Sequence, residues 1–489
     1  MKKYLPFIIS FMQCFVSFFT DRLIFTADPL SQPQNYIPCK ILMFIVLYMF
    51  WRFIFSKPLS VLKYAGLYLI PIIGVLIFKL PQGFLSNDEH LIFEQAVKLA
   101  DYTWFYYITT WYYIISLMII PAWFGPIIIK VIIQVLICGY CVSRLSKYMN
   151  FKYGKFLYLA FLLFPVLAYT TSAHRIPVYY LLYLFLLFTL LMDRLEKVPL
   201  SKLRLIGMLF LLAVLTQWRT EGIYLAVTGL VLMFLAYPSL HITKKKLIAV
   251  CAVSLFIQYI VSIPQYGMIP TRMNDRAANR MLPFYAYTIT NMYRNGLDLE
   301  KNASDLKQAD RYISIDTIKA INDYLGDTNY EDGLILYYPG YTGTREGADD
   351  ADYMAFVTAC RHIFINNPDV LIRTKIGSFD YAARPYHLNL SSGAGGLAVS
   401  IVKTVAYDVY IPLLFLFGLW IFTIIKRRPF TFFMTSGLLC HWFIVFVLAP
   451  ASYFKYYFPV YFVPYFWAIL IIIAAVWNKK HSEHLRIIC

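Results

Sequence analysis

About a dozen runs of roughly 15 to 20 mostly apolar residues recur along this chain, each the length a helix needs to cross hydrocarbon. A water-soluble domain has no interior large enough to hide that many. Composition agrees, because 60% of the residues are hydrophobic where a soluble domain has roughly half. The expectation is an all-α polytopic membrane protein of about 12 transmembrane helices. They fall near 4–20, 39–56, 62–80, 122–143, 156–172, 176–192, 204–218, 222–238, 247–264, 407–425, 431–449 and 456–477.

Charge sets the direction of threading. The formal net charge is +17, but residues 265–405 hold 14 basic and 16 acidic side chains. The whole excess therefore lies around the apolar runs, which excludes a nucleic-acid patch and matches the positive-inside bias. Under strict alternation every basic cluster falls on one side: Lys2/Lys3, Arg52 to Lys63, Arg144 to Lys155, Arg194 to Arg204, Lys244 to Lys246, Lys426 to Arg428, and Lys479 to Arg486. Both termini are then cytoplasmic. The outer face receives loop 81–121, the turns near 172–175, 218–222 and 450–456, and the segment 265–405.

Four regions follow. Residues 1–264 form a membrane domain with about nine spans and the outer acidic loop 81–121. Residues 265–405 are a mainly helical extracytoplasmic insertion, 406–478 hold three C-terminal transmembrane helices, and 479–489 are a cytoplasmic tail. The opening MKKYLPFIISFMQCFVSFF has the charge pattern of a signal sequence without a small-x-small cleavage site, and reads as a retained first span. In the insertion, Ser314 precedes a short amphipathic helix, and an Asn-Asn-Pro turn at 366–368 separates two further helices. NLSSGAGG (389–396) reads as a flexible connector. Cys138 and Cys141 form a CxxC in mid-span with no second pair, so they read as packing residues. Asp349, Asp350 and Asp352 match no complete calcium loop and read as a solvated helix start. His387 reads as structural. There is no Walker loop, GxGxxG or zinc constellation, and no metal ligand set.

The polar interruption that calls for explanation is SNDEH, Ser86 to His90. Ser86 and Glu89 fit a capping box, with interfacial helices behind them and an aromatic band at 102–113. Capping does not require Asp88 or His90. A carboxylate at the mouth of a helix bundle can take the proton of an incoming hydroxyl, which glycosyl transfer needs. Asp88 and Glu89 are the catalytic candidates, and His90 is a substrate-binding candidate.

With SNDEH in the first large outer loop, interfacial helices after it, and QWRTEGIYL (217–225) and APASYFKYYFPVYFVPY (449–465) further on, the chain resembles the integral-membrane GT-C glycosyltransferases. The resemblance implies a GT-C-like fold and transfer from a polyprenyl-phosphate-linked sugar to a cell-envelope glycan, lipid or protein on the extracytoplasmic side of a bacterial plasma membrane. The donor lipid, the acceptor and the bilayer are then the partners, and nucleic acid is not. It departs from the pattern in three places. The acidic motif follows the third span instead of the first; Ser172-Ala173-His174-Arg175 stands where a second acidic residue is common; and Lys455-Tyr456 replaces Arg-Tyr. No cofactor is demanded, and a divalent cation (Mg or Mn) near Asp88 is left open.

A polyprenyl phosphate leaving group is an anion that nearby cations stabilise as it develops. Arg175, Arg219, Lys455 and Tyr456 are the donor-phosphate candidates, with His174 and Glu221 as substrate-binding candidates. Each has a plainer alternative: a turn cap for Arg175, a local ion pair of Arg219 with Glu221, and interfacial snorkelling for Lys455. Three other functions compete. They are an envelope polysaccharide polymerase, separated only by the acidic motif; a lipid-linked oligosaccharide flippase, which predicts charged spans and symmetric halves; and a scaffold without chemistry.

Overall fold

The computed structural model describes residues 4–79, 87–101, 106–149, 152–240, 243–266, 281–325, 343–386 and 394–480. Ser86, His387, residues 389–393 of the expected connector and residues 481–489 lie outside them. The described residues form helices and no strand. Among the described residues, nine helices are long and apolar enough to cross a membrane, or ten if one bent pair is a single span. Apolar side chains and paired backbone make the bilayer the medium of this protein.

Two compact units divide the chain: Met1–Gly267 with Pro412–Leu439 and Tyr461–Cys489, and Met268–Ile411 with Cys440–Val460. The first contains α1 (Leu5–Ile24), α2 (Pro33–Phe55), α3 (Leu59–Lys79), α4 (Asn87–Val97), α5 (Tyr107–Ile119), α6 (Gly125–Tyr148), α7 (Tyr158–Phe161), α8 (Phe164–Thr170), α9 (Ile176–Leu195), α10 (Lys202–Trp218), α11 (Leu225–Ala236) and α12 (Lys244–Tyr266). Two of the expected spans, 204–218 and 222–238, form helices of 17 and 12 residues. The expected span 156–172 is broken: the helical pieces 153–161 and 164–170 meet at 62°. Pro165 sits in the first turn of α8, where its missing N–H costs nothing, so a new helix starts there.

α9 is the central helix of this unit, with 89% of its apolar window enclosed against 17% for α1. α3 and α6 pack closely because Gly139 has no side chain. A Cβ there would lie 2.6 Å from the Val61 carbonyl and 2.8 Å from Ala65 Cβ. At the end of α9, buried Asp193 accepts bonds from Arg144, Arg204 and Tyr237, stapling α6, α9 and α10 together.

The hairpin of α1 and α2 has its own buried ion pair, Asp21 with Lys40. Tyr36 donates to Asp21 at 2.6 Å, and Lys40 donates to Ser17 at 2.6 Å. This hairpin shares a core with the acidic-motif region: Tyr36, Cys39 and Met43 pack with Ile92, Ala96 and Leu99 of the α4 segment and Tyr113, Ile114 and Leu117 of α5.

The second unit contains α13 (Leu282–Arg294), α14 (Ala303–Ala309), α15 (Ile315–Leu325), α16 (Asp350–Asn366), α17 (Pro368–Ala383) and α18 (Ala394–Ala406). The Asn-Asn-Pro turn separates α16 from α17 as read from sequence. Ser314 accepts from the Thr317 N–H at 3.1 Å. Asp349 and Asp352 form a reciprocal capping box at the start of α16. Residues 394–396 of the expected connector are the first turn of α18. α19 (Tyr410–Ile425), α20 (Pro429–Leu448) and α21 (Phe458–Lys480) complete the chain. The turn 450–456 belongs to the second unit because Ser452 bonds Ser378 of α17 at 2.7 Å and Tyr287 of α13. Phe379 also stacks edge-on with Tyr457 at 5.0 Å between centroids.

Candidate functional site

α4 opens with Asp88 and Glu89 in its first turn, where the helix dipole favours negative charge. Consecutive helical positions point about 100° apart, and the two carboxylates have different fates. Glu89 is completely buried, whereas Asp88 is partly exposed. His90 is turned outward, its Nε2 3.1 Å from Glu94 one turn on.

Glu89 faces the turn before α9, 86 positions along the chain. Its Oε1 accepts from the Arg175 guanidinium at 2.9 Å and from the Arg175 N–H at 3.4 Å. Its Oε2 lies 3.4 Å from His174 Nδ1. Arg175 is the residue before α9 and is buried, yet its side chain makes no capping bond to that helix. Its guanidinium goes to Glu89, so the ion pair, not a turn cap, accounts for Arg175.

The backbone of this turn is held from elsewhere. Tyr113 of α5, fully buried, donates to the Ala173 carbonyl at 2.9 Å. Lys130 of α6, 1% exposed, donates to the carbonyls of Tyr169 at 3.1 Å, of His174 at 2.6 Å, and of Ser172. The Tyr169 ring lies 4.9 Å from the His174 ring. Lys130 and Tyr113 were not singled out from sequence. Lys130 had a signal: it is the one charge in the apolar run 125–143, and ionisable residues inside spans tend to be functional.

One turn further along α9 lies Tyr179, and here a second polar turn docks. Arg219 and Glu221 form a local ion pair, the plainer of the two readings, and Thr220 donates to Glu221 at 3.0 Å. The turn sits so close that a Cβ on Gly222 would be 3.3 Å from the Tyr179 hydroxyl and 2.6 Å from the Leu215 carbonyl. Next to Arg219, the Trp218 ring lies 5.7 Å from Tyr112. Three segments far apart in sequence, at 88–89, 172–175 and 219–222, are thus gathered around the first turns of α9.

α4 is also fixed at its other end. It ends at Val97, and two residues on lies Leu99, whose φ of +54° is left-handed and whose side chain is fully buried. Asn35 donates to the Leu99 carbonyl at 3.0 Å and to Asp101 at 3.2 Å, and accepts from Trp111 at 2.9 Å. The Thr26 N–H takes the Val97 carbonyl at 2.8 Å. The α1–α2 hairpin therefore grips the C-terminus of α4 while Glu89 grips its N-terminus.

Lys455 and Tyr456 lie in the second unit. The Lys455 ammonium stands 4.7 Å from the centre of the Tyr453 ring and 5.9 Å from that of Tyr456. His441 Nε2 lies 3.0 Å from the Tyr456 carbonyl, pinning this turn as Lys130 pins the other. Among the described residues no three His, Cys, Asp or Glu side chains gather as metal ligands. The carboxylate beside Asp88, that of Glu89, is paired with Arg175.

Comparison with known proteins gave no match among protein-family models, curated protein sequences or solved structures.

Proposed function

We propose that this chain is a membrane glycosyltransferase that moves a sugar from a polyprenyl-phosphate-linked donor to an envelope glycan, lipid or protein acceptor. The observation that carries the reading is the reach of the acidic motif to a buried cation: Glu89 holds Arg175 across 86 positions of sequence, with Asp88 beside it and partly exposed. Two adjacent carboxylates divide the work by burial. Asp88 is the one an acceptor hydroxyl can reach, and it acts as the general base. Glu89, enclosed and paired, sets the position and charge of Arg175.

The step is a single displacement. The acceptor oxygen attacks the anomeric carbon while Asp88 takes the hydroxyl proton. The bond from that carbon to the phosphate oxygen breaks, and the polyprenyl phosphate leaves with the electron pair. Arg175 stabilises the charge that develops on it, a contribution that grows where water is scarce. The same reading places the site on the extracytoplasmic face of a bacterial plasma membrane. It rests on the first unit alone, and no step is routed through a metal.

The test is incorporation of labelled sugar from a lipid-linked donor by membranes containing the protein. Asp88→Asn is expected to abolish incorporation while the variant remains inserted and folded. Normal incorporation by a folded Asp88→Asn variant would end the base assignment. Movement of lipid-linked sugar across vesicles without bond change would replace the enzyme with a transporter.

A further inference from the structure

A lysine inside an apolar span is costly unless its three N–H donors are met. Lys130 meets them with carbonyls of Tyr169, Ser172 and His174. These are the carbonyls at the end of α8 and along the turn that follows it, where no further helical N–H exists to take them. Tyr113 takes that of Ala173. The shape of 169–174 is therefore dictated by side chains of α5 and α6, and Arg175 is the next residue.

We infer that Lys130 is a positioning residue of this site: by fixing the carbonyls of the 169–174 turn it aims His174 and Arg175 at a phosphate monoester anion, without touching that anion itself. This rests on the function proposed above and names a residue that function did not use. Lysine suits the task because a compact ammonium offers three donors around one point, where the planar guanidinium of arginine cannot. A misplacement of about 1 Å in a charge-stabilising group costs on the order of a hundredfold in rate, so a turn defined by one ammonium leaves a measurable signature.

The experiment uses the full chain in detergent and a short-chain polyprenyl monophosphate, with the corresponding polyprenol as the uncharged control. The wild type is expected to bind the monophosphate more tightly than the alcohol. Lys130→Met, an uncharged side chain of similar length, is expected to lose about tenfold or more of monophosphate affinity with polyprenol binding unchanged. A merely structural role would weaken both ligands alike. Should Lys130→Met fail to fold, Lys130→Arg keeps the charge and removes the three-point geometry, and it is expected to lose monophosphate selectivity too. A folded Lys130→Met or Lys130→Arg with wild-type selectivity overturns the role of Lys130 and leaves the transferase reading standing. A wild type that does not distinguish monophosphate from alcohol overturns both.

Discussion

Lys375 of α17 offers the sharpest quantitative test of the second unit. It is 7% exposed, donates to Thr288 Oγ1 at 3.0 Å, and sits 4.8 Å from the centre of the Phe284 ring. Burial alone lowers its pKa from 10.5 to about 7. Between about 7 and 10.5 the unfolded chain therefore holds one proton more than the folded one, so stability rises with pH through that window and is level below it. At 1.36 kcal/mol per unit, the ammonium costs the folded state about 4 to 5 kcal/mol below pH 7. Lys375→Met removes that cost and leaves the Thr288 hydroxyl without its donor, a loss of about 1 to 2 kcal/mol. The thioether also packs well against Phe284. The variant is expected to be more stable than wild type by about 3 kcal/mol at pH 6. That advantage should shrink steadily above pH 7, and above pH 10.5 it should reverse by about 1 kcal/mol. The measurement is thermal unfolding of the full chain in detergent at several pH values. Taking the difference between the two proteins cancels the tyrosines and other lysines that titrate near pH 10. A difference that does not change with pH, or a variant less stable at pH 6, would refute the assignment of a buried ammonium without a counter-charge.

Three further outcomes follow from named contacts. Glu89→Gln leaves Arg175 buried without its carboxylate and should cost about 3 to 5 kcal/mol. Adding Arg175→Met should restore stability in detergent unfolding without restoring the proposed sugar transfer. Gly139→Val places side-chain carbon against the Val61 carbonyl and Ala65. It should cost about 1 to 3 kcal/mol, seen as a lower unfolding temperature, whereas the same change at Gly207, which has open space around it, should not. Asp310 is pushed up by burial, but bonds from the Ile315 N–H and from Arg345, together with that charge, outweigh this and hold it below the usual carboxylate range. Its contribution is complete above the unfolded pKa and is lost as pH falls through the folded one. Asp310→Asn should therefore flatten the acid loss of amide-exchange protection at Arg345, whose N–H bonds the Tyr312 carbonyl.

How far the sequence speaks depends on where each partner lies. α16, α17 and their Asn-Asn-Pro turn were legible because caps and prolines act within a few residues. So was the Arg219–Glu221 pair, two positions apart. The alternation of basic clusters placed Asp88, Glu89, His174 and Arg175 at one end of the bundle before any coordinates, and Glu89 does meet His174 and Arg175. What stayed hidden acts through backbone or over distance. Lys130 binds carbonyls, which carry no residue identity. The Asp21–Lys40 pair joins two spans whose rotation about their axes the hydropathy does not fix. The break at Pro165 was invisible because a proline inside an apolar run is also consistent with a kinked but continuous helix.

The departure that set this chain apart in sequence, an acidic motif after the third span instead of the first, has a physical use in the fold. α4 is only 11 residues long, and an isolated helix of that length is marginal. A carboxylate on it has a defined position only if both ends are held. The α1–α2 hairpin supplies the second hold, through the Thr26 N–H on Val97 and Asn35 on Leu99, at a terminus whose left-handed Leu99 would otherwise be strained. The buried Asp21–Lys40 pair joins the two helices of that hairpin, and so the loop that carries Thr26 and the first turn of α2 that carries Asn35. Glu89 is then clamped to Arg175 at one end and α4 to the loop at the other, so Asp88 is fixed relative to Arg175 although no bond between the two is needed. Fixed separation between a proton acceptor and a cation is what the proposed displacement at a sugar phosphate would require.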